Sequence, residues 1–118
     1  MYTERYATDE PTRATVDAIR GAAVVEFGAP WCGHCIAAQP LVKSALSRHP
    51  CVEHLRIEDG RGRALGRSYR VKLWPTLVFL RDGVEQGRLV RPDAVEAIDE
   101  ALERIDPPSE APGEAAPR

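Results

Sequence analysis

The sequence predicts a three-layer α/β domain, in which helices cover both faces of one central mixed sheet. Residues 22–27 are almost continuously apolar, which is typical of a strand that is buried on both faces. An Asp-Gly pair at 82–83 separates two apolar segments, 76–80 and 84–90, and this arrangement predicts a hairpin. Residues 91–105 repeat apolar side chains every three or four positions, as an amphipathic helix packed on a sheet does.

The first half of the chain alternates between helical and extended patterns. Residues 9–20 predict a short amphipathic helix, with Pro11 in its first turn and Gly21 just past its end. The strand at 22–27 follows directly. Residues 33–48 then predict a longer helix that is kinked where proline, at position 40, removes a backbone hydrogen bond.

The second half begins with another strand, predicted at residues 51–58. Residues 60–69 are rich in Gly and Arg and leave room for one short helix before the hairpin. The last helix, at 91–105, has Pro92 at its start, where proline costs no backbone hydrogen bond. The order of elements therefore gives a sheet with helices before, between and after its strands.

The length and charge of the chain limit the functions that it can have. A chain of 118 residues buries one core, and its 16 Lys plus Arg against 18 Asp plus Glu exclude a strongly basic nucleic-acid surface. No apolar stretch approaches the roughly 18 residues of a membrane helix, and the N-terminus lacks the apolar run of a secretory signal. We therefore expect a cytoplasmic monomer with neither nucleic-acid nor membrane partners.

The domain boundaries are set by composition. Residues 1–9 are predicted to be an N-terminal extension, and residues 10–106 to be the folded domain. Residues 107–118 are rich in Pro, Ala and Glu and contain no aliphatic side chain larger than Ala. Such a segment cannot offset its ordering entropy, so we expect a disordered tail.

Two cysteines lie at the junction of the first strand and the long helix, in the segment Trp31-Cys32-Gly33-His34-Cys35. Cys32 is at the helix N-terminus, where the dipole and unpaired N–H groups favour a negative charge. Cys35 follows one turn later on the same face, close enough to form a disulfide with Cys32. A thiolate is the nucleophile of disulfide exchange, and a nearby His34 can help to stabilise it. The motif therefore indicates redox chemistry.

Three segments carry a family resemblance: Val-Val-Glu-Phe-Gly-Ala-Pro-Trp-Cys-Gly-His-Cys at 24–35, Pro40, and Trp74-Pro75-Thr76 before Leu-Val-Phe-Leu-Arg-Asp-Gly. In this order and spacing the chain resembles the thioredoxin superfamily, over about residues 10–105. The resemblance implies the thioredoxin fold. Because only about ten residues precede the first helix, we expect the first strand of the family to be short or absent. The resemblance also implies that Cys32 attacks a substrate disulfide and that Cys35 resolves the product.

The resemblance assigns further roles around the two cysteines. Pro75 is expected to be cis and to face the disulfide, while Trp74 offers backbone groups to an extended substrate. Trp31 and Trp74 are expected to form an apolar platform around the thiol. The middle pair, Gly33-His34, is that of protein disulfide isomerase domains. A cationic imidazole there favours the dithiol, so we expect a stronger oxidant than thioredoxin.

Glu26 stands six residues before Cys32, where thioredoxin-like proteins carry a buried acid. Its apolar neighbours predict burial, and a lone buried carboxyl is costly unless it has a function. His54 falls where thioredoxin carries a lysine near this acid, so we expect a pair between Glu26 and His54 beneath the disulfide. Glu26 would then accept the proton from Cys35 as a general base.

A zinc site is the rival interpretation, because Cys32, Cys35, Cys51 and His54 have the spacing of a four-ligand set. Against it, Cys51 and His54 lie in a strand pattern, which points them to opposite faces. Cys51 is better interpreted as a small buried apolar residue. A thioredoxin-fold adaptor that binds partners without turnover is a second alternative.

The sequence therefore predicts a thiol-disulfide oxidoreductase that exchanges its Cys32-Cys35 pair with disulfides in proteins. No metal and no bound cofactor are expected, since the redox-active disulfide itself carries the electrons. A thioredoxin reductase or another dithiol donor is the expected partner that restores the dithiol.

Overall fold

The computed structural model describes residues 2–106, so the predicted disorder of residues 107–118 lies outside the described residues. The elements follow in the order α1 (Arg13–Asp17), β1 (Ala22–Gly28), α2 (Gly33–Leu46), β2 (Glu53–Glu58), α3 (Ala64–Ser68), β3 (Thr76–Arg81), β4 (Val84–Val90) and α4 (Val95–Ile105). Among the helices of residues 2–106, none combines the length and the apolarity that a membrane crossing requires.

The four strands form one mixed sheet in the order β2-β1-β3-β4. β1 runs parallel to β2 and antiparallel to β3, and β3 pairs with β4 as the predicted antiparallel hairpin. Every residue of the central strand β1 is buried, as its continuous apolar character predicted. The mixed sheet between helical layers confirms the predicted fold class.

Alternate residues of β1 divide between two cores. Val24 packs with side chains of α2 and α4, among them Leu46 and Leu102. Val25 faces the other way and packs with α1 and α3, through Val16 and Leu65. This period of two follows from strand geometry, and it decides which β1 side chains lie beneath α2 and its cysteines.

Two predicted helices are shorter than their sequence patterns. α1 begins only at Arg13, because Thr12 caps it by accepting a hydrogen bond from the backbone N–H of Thr15. The last helix begins at Val95 and not at residue 91, since Arg91 adopts a left-handed φ of 51° that a helix cannot contain. In both cases the proline, Pro11 or Pro92, lies in the turn before the helix and is not the first residue of the helix.

The N-terminal segment, residues 2–7, lies along the outer edge of β2. Ala7 forms a single parallel bridge with Ile57: its N–H donates to the Arg56 carbonyl at 2.7 Å, and its carbonyl accepts from the Glu58 N–H at 3.0 Å. The first strand of the family is therefore reduced to one bridge. The predicted domain boundary at residue 10 stays a prediction.

Candidate active site

Cys32 and Cys35 are free thiols at the start of α2. Cys32 is the N-cap residue, and its Sγ accepts a hydrogen bond from the backbone N–H of Cys35 at 3.3 Å. Cys32 is 8% exposed, whereas Cys35 is only 1% exposed. Both cysteines are thus buried, and Cys32 is the more exposed of the two.

Burial is the main reason why the pKa of Cys35 rises to about 11. The hydrogen bond with Cys32 raises it further, while the Ala29 backbone and the hydroxyl of Tyr6 act in the opposite direction. At neutral pH Cys35 therefore keeps its proton, and any reaction through its thiolate has to remove that proton first.

Glu26 is fully buried on the face of β1 that α2 covers. Its Oε1 lies 2.8 Å from His54 Nε2 and 3.3 Å from Arg56 Nε. The structure thus brings Glu26 and His54 together as expected, and it adds Arg56, which sequence reasoning missed. Arg56 faces Glu26 directly in the β1–β2 register and shares the face of His54 two residues earlier, so strand alternation could have found it.

The hydrogen bonds of His54 define its tautomer. The backbone N–H of Thr3 donates to Nδ1 at 2.8 Å, so Nδ1 is unprotonated and Nε2 carries the hydrogen that is donated to Glu26 Oε1. Arg56 is then the cation that balances a charged Glu26. Glu26 Oε2 is buried and has no hydrogen-bond partner among residues 2–106, which leaves it free to accept one.

Two tryptophans flank the cysteines. Trp31 and Trp74 meet edge to face, with ring centroids 5.5 Å apart. Trp31 is 71% exposed, whereas the indole N–H of Trp74 donates to Asp59 Oδ2 at 2.9 Å. Asp59 therefore fixes the orientation of Trp74, and this residue, too, had not been anticipated.

The segment Trp74-Pro75-Thr76 enters β3, and its Trp74–Pro75 peptide bond is cis. Pro75 and Thr76 are buried. The Trp74 carbonyl already accepts a hydrogen bond from Arg91 Nε at 2.8 Å. An extended ligand that pairs with Trp74 has to share or displace this contact.

The four residues of the alternative zinc site are not assembled. Cys51 is exposed and precedes β2, while both ring nitrogens of His54 are engaged by Thr3 and Glu26. Within residues 2–106, no cluster of three or more His, Cys, Asp or Glu could hold a metal ion. The interpretation of Cys51 as a buried apolar residue is also wrong, because the turn after Pro50 carries it outside the strand.

Comparison with known proteins identifies the family. The family model described as Thioredoxin matches residues 5–104. The chain belongs to the thioredoxin family. Members of this family are thiol-disulfide oxidoreductases.

Individual members of the thioredoxin family show the same likeness. Thioredoxin 2 from Pseudomonas aeruginosa PAO1, solved in its reduced form, is 52% identical with a TM-score of 0.79, over 88% of this chain and 96% of that one. Thioredoxin H2-1 of Oryza sativa subsp. japonica is 36% identical over 70 residues, which are 59% of this chain and 51% of that protein. Thioredoxin-1 of Caenorhabditis elegans is 30% identical, over 68% of this chain and 62% of that protein. The chain thus spans between 51% and 62% of the length of these two curated relatives.

Proposed function

We propose that this protein is a thiol-disulfide oxidoreductase that exchanges the Cys32-Cys35 pair with disulfides in other proteins. One observation carries the proposal: the Sγ of Cys32, the more exposed of the two cysteines, caps α2, and the Cys35 thiol lies one turn further along the helix and is more deeply buried. The cap places a backbone N–H at the sulfur, where it stabilises a thiolate. Two-step exchange needs one thiol that attacks the substrate and a second thiol that is protected until the mixed disulfide has formed.

The two steps transfer two electrons to the substrate. The Cys32 thiolate attacks one sulfur of the substrate disulfide, forms a mixed disulfide, and releases the other substrate sulfur as a thiolate that takes up a proton. Cys35 then loses its proton and attacks Cys32 Sγ, which closes the Cys32-Cys35 disulfide and frees the second substrate thiol. Glu26 supports this second step, since its unpartnered Oε2 can accept the proton from Cys35, directly or through water.

The surface beside Cys32 supports a protein substrate. Trp31 and Leu73 are exposed apolar side chains next to the half-buried Trp74. We assign Trp74, Pro75 and Thr76 to substrate binding because Trp74 packs against the two cysteines and Pro75 and Thr76 follow it directly into β3. Gly33 and His34 are exposed in the first turn of α2 and influence the stability of the Cys32 thiolate.

The proposal also bears on the cofactor requirement and the electron donor. The Cys32-Cys35 pair carries the electrons, so the proposed reaction needs no bound cofactor. A thioredoxin reductase or another dithiol donor would restore the dithiol after each turnover. The cytoplasmic location and the monomeric state stay predictions.

Reduction of insulin by dithiothreitol tests the proposed activity. We expect the wild-type protein to accelerate the precipitation of reduced insulin chains. An inert wild type that still captures partner proteins would favour the adaptor alternative. Native mass spectrometry of the same sample addresses the metal: stoichiometric zinc would contradict the redox assignment.

His34→Pro is expected to make the pair more reducing, because an imidazole near Cys32 stabilises the dithiol form. The side chain is exposed, so screening limits its effect to about tenfold in the equilibrium, or about 30 mV for a two-electron couple. Equilibration with glutathione buffers measures the potential. An unchanged potential would mean that the helix terminus and the Cys35 amide stabilise the thiolate without His34.

A further inference from the structure

Tyr6 lies beside the second cysteine. Gly28 ends β1 directly under this point, and a methyl group in place of its hydrogen would lie 2.6 Å from Cys35 Sγ and 2.9 Å from Tyr6 Oη. The sulfur and the hydroxyl therefore both lie over Gly28, and the Tyr6 hydroxyl lowers the pKa of Cys35. Only a residue without a side chain leaves room for both.

The buried charges hold the ring of Tyr6 in place. The guanidinium carbon of Arg56 lies 4.1 Å from the Tyr6 ring centroid, a cation–π contact. Arg56 itself is fixed from two sides, by Glu26 at 3.3 Å and by the Glu4 carbonyl, to which its Nη1 donates at 2.7 Å. The hydroxyl is thus aimed at Cys35 by the same cluster that contains the proposed base.

The hydroxyl has no other polar partner. Tyr6 Oη is buried and makes no well-aligned hydrogen bond within residues 2–106, in a structure where Cys35 is a thiol. Burial raises the pKa of Tyr6 above its usual value, so this hydroxyl keeps its hydrogen at physiological pH and can donate it. A buried donor without an acceptor is costly, and a thiolate at Cys35 is the acceptor that would satisfy it.

We propose that Tyr6 is a catalytic residue of the second exchange step, where its hydroxyl donates a hydrogen bond to Cys35 Sγ as the thiolate forms. The proposal rests on the proposed function, in which Cys35 resolves the mixed disulfide. Cys35 gives its proton to Glu26 and attacks Cys32 Sγ. The Cys32-Cys35 bond forms, the substrate sulfur leaves with the electron pair of the broken bond, and Tyr6 keeps its own proton.

Tyr6→Phe tests the hydroxyl, and Tyr2→Phe is the matched control. Both rings lie over the Arg56 guanidinium, at 4.1 and 5.4 Å, and both hydroxyls are buried, but only that of Tyr6 meets Cys35. Phe keeps the ring and its contact with Arg56, so both variants are expected to fold. Their thermal unfolding is measured alongside.

In a Cys51→Ser background, which removes the exposed third thiol, the two steps can be separated with an aromatic disulfide, dithiobis(nitrobenzoate). It releases one coloured thiolate when Cys32 attacks and a second when Cys35 resolves. For Tyr6→Phe we expect an unchanged first release and a second release slowed about tenfold, as for one lost charge-assisted hydrogen bond. Tyr2→Phe should match the wild type in both. This reagent needs no protein substrate, so the measurement stands even if the protein is inert on insulin.

The pH profile of the second release distinguishes a chemical from a structural role. The titratable and charged groups closest to Cys35 and Tyr6 are Cys32, Glu26 and Arg56. Glu4, Arg5 and Glu58 line the same cavity, and all six groups are the same in both variants. Because the Tyr6 hydroxyl lowers the pKa of Cys35, its loss should move the profile of Tyr6→Phe to higher pH and leave that of Tyr2→Phe in place. An unchanged second release in Tyr6→Phe, or equal slowing in both variants, would overturn the proposal.

Discussion

Cys32→Ser is expected to abolish the catalysis of insulin reduction, because the serine hydroxyl is not ionised at neutral pH and cannot replace the thiolate. Cys35→Ser is expected to stop after the first step and to accumulate mixed disulfides through Cys32. The insulin assay measures the first effect, and non-reducing electrophoresis with mass spectrometry of the trapped species measures the second.

Cys51→Ser is the matched control for both variants, since Cys51 is an exposed thiol outside the helix and the sheet. It should retain wild-type turnover. Full activity of Cys32→Ser, or trapped species that are linked through Cys51, would refute the two-thiol mechanism.

Glu26→Gln is expected to slow the release of the mixed disulfide by roughly 10- to 100-fold, the low side of the usual range for general-base catalysis. Gln keeps the shape of the side chain and can still accept a hydrogen bond from His54, but it cannot take up the proton of Cys35. Release in the variant should then depend on hydroxide and rise steadily with pH. Single-turnover release of a trapped substrate over a pH series measures this.

Glu53→Gln serves as the control for the loss of a carboxylate, because Glu53 is exposed on β2. It should leave both the rate and its pH dependence unchanged. Wild-type release kinetics in Glu26→Gln would show that Glu26 is a structural partner of His54 and Arg56 and takes no part in proton transfer.

The period of two in the strands explains what the sequence could predict of this site. The resemblance to thioredoxin predicted the pair of Glu26 and His54, and the strand period of two explains it: His54 pairs with Val24, which lies two residues before Glu26 on the same face of β1. Arg56 obeys the same rule but was overlooked because arginine is usually exposed. The contact between the Glu26 carboxylate and the Arg56 guanidinium was thus implied by the patterns of β1 and β2 taken together.

Contacts made by irregular segments could not be predicted in this way. Tyr6 and Thr3 precede any recognisable element, and no periodicity indicates that one reaches Cys35 and the other His54. Asp59 also lies in a connection, after β2, so its hydrogen bond to Trp74 has no local signal. The prediction for Cys51 was wrong for a different reason: the strand was predicted to begin at residue 51, whereas β2 begins at Glu53.

The N-terminal segment also protects the sheet against unwanted association. β2 is an edge strand, and exposed strand edges pair readily with other chains and so promote aggregation. Here three of the backbone groups on this edge are occupied: the His54 carbonyl accepts from Thr3 Oγ1, the Arg56 carbonyl accepts from the Ala7 N–H, and the Glu58 N–H donates to the Ala7 carbonyl. Residues 2–7, which contact the buried charges, therefore also prevent a second chain from pairing with β2. Proteolytic removal of these residues would expose both an aggregation-prone edge strand and the active-site cluster.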